Sequence, residues 1–82
     1  MKVKLKHSYG DIFLISHRDE WKEEYYLCQI VGINTDPRHV MLNKFYEYEY
    51  WDETFGDYII GWKSDQEIDE GKELLEKYMK EN

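Results

Sequence analysis

The chain has 82 residues, 41% hydrophobic and 17% aromatic, enough apolar surface for one small folded domain and too much for a disordered acidic tail. Its net charge of −7 repels phosphate backbones and so argues against direct nucleic-acid binding. A single cysteine, Cys28, excludes an intramolecular disulfide; with no secretory leader and no apolar run near 18 residues, the expectation is a soluble cytoplasmic protein.

Taken in order, "KVKLK" (2–6) alternates lysine with Val3 and Leu5 and predicts a half-buried edge strand, its lysines discouraging pairing with another chain. "SYGD" punctuates, and "IFLI" (12–15) predicts a strand covered on both faces. "YYLCQIVGI" (25–33), rich in aromatic and β-branched residues, predicts a third. "NTDPRH" (34–39) predicts a turn, with Pro37 fixing φ and Asn34 and Asp36 bonding to their own backbone.

A fourth strand is expected over "VMLNKFYEYEYW" (40–51). Alternation there puts Tyr46, Tyr48 and Tyr50 on one side with Val40 and Leu42, and Glu47 and Glu49 on the other with Phe45 and Trp51. "DETFGD" predicts a hairpin around Gly56, leading into a fifth strand that ends near Lys63. "SDQE" (64–67) is a capping box between Ser64 and Glu67. It opens a helix over about 65–80, with Ile68, Leu75, Tyr78 and Met79 on one stripe and Leu74 at its margin. Gly71 falls on that stripe, either to admit close helix–sheet contact or to mark a kink. Glu73–Lys77 and Glu76–Lys80 are favourable i,i+4 pairs. The expected fold is α+β and mostly β: a bent antiparallel sheet or small SH3-like open barrel of about five strands, closed by the C-terminal helix.

Nothing in the chain carries an enzymatic signature, and no catalytic residue, cofactor or metal is assigned. Cys28 sits mid-strand as a small hydrophobe. His7, His17 and His39 lie in no metal-ligand spacing, and His17 with Asp19 and Glu20 fits an exposed hairpin better than a metal site. The C-terminal helix has an acidic polar face, unlike one that binds anionic lipid.

The remaining signal is the acidity of residues 47–70, nine carboxylates against Lys63 alone, interleaved with aromatics. In size, charge and aromatic content the chain resembles the small acidic proteins with which phages and mobile elements disable host nucleases, although no motif carries that likeness. The expected function is a non-enzymatic inhibitor or binding protein whose acidic face occupies a basic, nucleic-acid-binding groove of another protein. Its candidate partner-binding residues are Glu47, Glu49, Trp51, Asp52, Glu53, Phe55, Asp57, Glu67, Asp69 and Glu70. The alternative is a homo-oligomeric ligand-binding or structural protein using an aromatic-rich sheet, in which Arg18 and Arg38 would clamp the phosphate of a sequestered nucleotide.

Overall fold

The computed structural model describes residues 4–81. Four strands, β1 (Ile12–Arg18), β2 (Glu23–Ile33), β3 (Tyr46–Asp52) and β4 (Asp57–Lys63), form an antiparallel sheet in the order β1-β2-β3-β4. A short helix α1 (Pro37–Leu42) joins β2 to β3, and a long helix α2 (Asp65–Glu81) ends the described chain. The fold is α+β and mostly β, but β1 and β4 remain separate edges and the sheet does not close into a barrel.

Side chains alternate faces along each strand, so the register defines two sides. The inner side carries Phe13, Cys28, Ile30 and Tyr46, which with Phe45 and Ile68 form the buried core. Tyr26, Tyr48 and Tyr50 pack against that cluster, as the alternation in β3 predicts. α2 packs along the β1 edge, and there Gly71 has a specific role. A Cβ at that position would lie 2.7 Å from Phe13 Cδ2 and 2.8 Å from the Leu14 carbonyl oxygen. Glycine thus allows the helix to touch the strand backbone, with Ile68 reaching the core. Phe13 and Leu14, on opposite faces of β1, are both buried, but Ile12 is 46% exposed, so the double cover expected over 12–15 is present at Phe13 and Leu14 and absent at Ile12. Beyond Leu75 the predicted stripe emerges from the packing, and Tyr78 and Met79 are exposed.

Three expectations are corrected. Residues 4–6 form no strand, while residues 2 and 3 lie outside the described residues. α2 occupies the β1 edge where a preceding strand would pair, and the N-terminal segment instead runs to Tyr46. The Tyr46 hydroxyl accepts from the Lys6 and His7 amides at 3.2 and 3.3 Å and donates to Asp65 at 2.5 Å. The turn Ser8–Asp11 then closes with the Asp11 amide on the Ser8 carbonyl at 3.1 Å, and Gly10 supplies φ +86°.

Second, residues 37–42 are helical, so neither a turn through His39 nor a strand from Val40 forms. Asp36 caps the Arg38 amide, Pro37 takes a first-turn position where no N–H is needed, and Asn43 ends the helix at φ 55° in the left-handed region. Third, Phe45 is buried in the core and does not share the outer face with Glu47 and Trp51. It precedes the ladder, where its carbonyl accepts from the Asn34 amide at 2.8 Å.

The hairpin around Gly56 (φ +67°) and the capping box are both present. Ser64 N donates to Glu67 at 3.1 Å and Glu67 N to Ser64 Oγ at 3.2 Å.

Candidate functional site

The outer side of the sheet is the candidate site. In β3 it presents Glu47, Glu49 and Trp51, opposite Trp62, Ile60 and Tyr58 of β4. Gln29, opposite Glu49, and Ile12, opposite Gln29, extend the row across β2 and β1, with Leu27 beside them. Ile12, Leu27, Trp51, Tyr58 and Ile60 each keep 46–60% of their surface exposed. These five large apolar side chains share one face of the sheet, which makes it a candidate interaction surface. Trp51 and Tyr58 pack edge to face with ring centroids 5.2 Å apart, a favourable aromatic geometry. Among the described residues, Glu47 and Glu49 have no ion pair or hydrogen bond to their side chains.

The ten residues singled out from the sequence fall into separate groups. Glu47, Glu49 and Trp51 form a column on the outer face. Asp52, Glu53, Phe55 and Asp57 belong to the β3–β4 turn and its flanks, with Phe55 exposed at the tip. Asp52 Oδ1 accepts from the Thr54 and Phe55 amides at 2.8 and 3.1 Å, which shapes that turn.

Glu67, Asp69 and Glu70 lie on α2, and all three have partners within the chain. Burial alone would raise the Glu67 carboxyl, but bonds from Lys44 and the Ser64 amide, together with Lys63, hold it down to about 2. Asp69 accepts from His7 at 2.8 Å and lies 3.7 Å from Lys6. Glu70 meets Gln66 at 3.3 Å.

The sequence reading missed Tyr58, Ile60, Trp62, Leu27 and Ile12 as surface residues, although the alternation "YIIGW" carries the signal in β4. It also missed Trp21, exposed at the tip of the β1–β2 hairpin.

Other candidate chemistry is dispersed. Burial pushes the Cys28 thiol up to about 12, leaving it protonated at neutral pH. Asp19 accepts from the Trp21 and Lys22 amides, in keeping with a hairpin role. Among the described residues no group of three or more His, Cys, Asp or Glu side chains is placed to hold a metal. Arg18 pairs with Glu23 at one end of the sheet, whereas Arg38 sits in α1 beyond the other end of β2. The two arginines therefore cannot clamp one phosphate within a single chain. No helix among the described residues is long and apolar enough to cross a membrane. Compared with protein-family models, with curated proteins and with solved structures, the chain matches none.

Proposed function

We propose that this chain is a non-enzymatic binding protein whose outer sheet face docks on a basic surface of another protein. The observation that supports the reading is the pair of unpaired carboxylates, Glu47 and Glu49, set among Ile12, Leu27, Trp51, Tyr58 and Ile60 on one open face. Aromatic residues concentrate binding energy when a partner covers them, and carboxylates among them select a cationic partner and speed encounter. A nucleic-acid-binding groove fits this description. Carboxylates two residues apart on a strand stand about 6.6–6.8 Å apart, near twice the ~3.4 Å per-strand rise of duplex DNA. An inhibitor of a nuclease or similar protein would use the face in this way.

The test combines capture with kinetics. Wild-type protein and the Glu47→Lys/Glu49→Lys variant are used to capture partners from lysate, and a recovered basic protein is then measured in binding experiments between 0.1 and 1 M salt. The expected result is loss of capture by the variant and an on-rate for the wild type that falls by one to three decades as screening increases. An on-rate that is flat across this range, with unchanged capture by the variant, would sink the reading.

A second reading, self-association through the aromatic sheet, is favoured by the open β4 edge and the same exposed apolar residues. Face-to-face packing would bring the glutamates of two copies together, which places it second. A stable multimer in native mass spectrometry would favour it over the first.

A further inference from the structure

The two hairpins part company at one end of the sheet. β1 and β2 stay paired as far as Arg18 and Glu23, and β3 and β4 as far as Asp52 and Asp57. Pairing between β2 and β3 stops at Gln29 and Glu49, so residues 23–28 and 50–52 face each other without a ladder. The gap is a cleft of about 620 Å³ lined by Tyr25, Tyr26, Leu27 and Trp51, with Glu24, Asp52 and Glu53 among its other lining residues. Tyr26, one of the lining residues, stacks on Tyr50 on the inner side with ring centroids 4.7 Å apart. A neighbouring recess of about 280 Å³ shares Leu27 and Trp51 and continues to Glu49 and Ile12 on the outer face.

We propose that this cleft binds an extended segment of the partner and receives a lysine or arginine side chain from it. The proposal rests on the outer-face reading and names what that face would recognise. Three carboxylates line the cleft and no cationic residue does. Glu24 is held by Lys22 at 2.5 Å and by the Tyr26 hydroxyl. Asp52 has one oxygen engaged by backbone amides, leaving the other free, and Glu53 has no partner among the described residues. An ammonium or guanidinium group entering the cleft meets these carboxylates beside the Trp51 ring, and a cation is stabilised by both carboxylates and an aromatic neighbour. The segment's backbone lies along the unladdered flank of β2, as an added strand does. Its apolar side chains reach the recess beside Leu27 and Ile12.

The probe is a fluorescein-labelled heptapeptide alternating lysine and valine, compared with its glutamate–valine counterpart by anisotropy against the full chain. The lysine peptide is expected to saturate and to bind at least tenfold more tightly than the glutamate peptide. Asp52→Asn/Glu53→Gln, which keeps the half-buried Asp52 side chain's turn acceptor and changes the exposed Glu53, is expected to weaken it at least fivefold. Glu73→Gln/Glu76→Gln, which removes the same charge from α2, should leave it unchanged. Equal weakening by both double variants would show general attraction to an acidic protein and overturn the site, as would no weakening by either.

Capture of the natural partner separates the two readings. If Glu47→Lys/Glu49→Lys abolishes capture while Asp52→Asn/Glu53→Gln changes neither capture nor peptide binding, the cleft is overturned and the outer face stands. Cleft-dependent peptide binding with unchanged capture by Glu47→Lys/Glu49→Lys supports the cleft and overturns the outer face.

Discussion

Carboxylates on α2 and carboxylates on β3 share a chemistry and differ in what surrounds them. Glu67, near the start of α2, takes Lys44, Lys63 and the Ser64 amide, and Asp65 takes the Tyr46 hydroxyl. Asp69 takes His7. On β3, Glu47 and Glu49 have none of these partners and sit among exposed apolar side chains. Acids of the first kind tie the N-terminal segment, α2 and the start of β3 together. Acids of the second kind do nothing evident for the fold, which is why the proposed function rests on them. A strongly negative total charge therefore conceals two populations that only the fold separates.

The largest expected effect breaks the structural population at its centre. Tyr46→Phe removes a hydroxyl that satisfies two backbone amides and one carboxylate. Each buried polar group left unpaired costs about 1–3 kcal/mol, so a net loss of roughly 2–3 kcal/mol is expected in urea unfolding. A loss within about 0.5 kcal/mol would show that water replaces the hydroxyl without penalty and that this tether is weak.

Next in size is Glu67→Gln. The Glu67 carboxyl is held down to about 2 from 4.5, so its contribution is fully present above the unfolded value and is lost as pH falls from about 4.5 towards 2. With the side chain about a third exposed, screening reduces the linkage figure to about 1–2 kcal/mol. The variant should be less stable at pH 7 and show a flatter stability profile between pH 4.5 and 2. Parallel profiles for the two proteins would contradict the assignment.

The smallest effect sharpens the other side of the comparison. Glu47→Gln/Glu49→Gln should leave stability within about 0.5 kcal/mol, as surface changes usually do, while slowing association with a basic partner. A stability loss above about 1 kcal/mol would move these acids into the structural population.

Local signals made much of this legible in advance. The capping box, the Gly56 hairpin, the alternation of β3 and the extent of α2 each depend on residues a few positions apart. Asp36-Pro37 was equally local, yet the apolar "VML" that follows joins smoothly onto the β3 alternation and conceals a six-residue helix. The N-terminal "KVKLK" has a strand's pattern, but α2 claims the edge it would need, and no local pattern reveals that competition. Which acids are paired was not legible for a similar reason. Lys44 meets Glu67 across 23 positions and His7 meets Asp69 across 62, and such partners are fixed by topology. The outer apolar face lay between these cases: its residues alternate visibly in β4, but only the register with β3 and β2 sets them beside Glu47 and Glu49.

The tether at Tyr46 has a consequence for the order in which the protein is made. Lys6 and His7 leave the ribosome well before Asp69, which both meet, and Asp11 well before Lys72; Asp65, which accepts from the Tyr46 hydroxyl, also follows them. The sheet can pair as soon as β4 emerges, but Phe13 and the β1 edge stay uncovered until α2 follows. A nascent chain halted after Lys63 thus carries an open, partly apolar edge strand of the kind that pairs with other chains. Synthesis of α2 covers that edge and fastens the segment before β1 to the helix through His7–Asp69 and Asp11–Lys72.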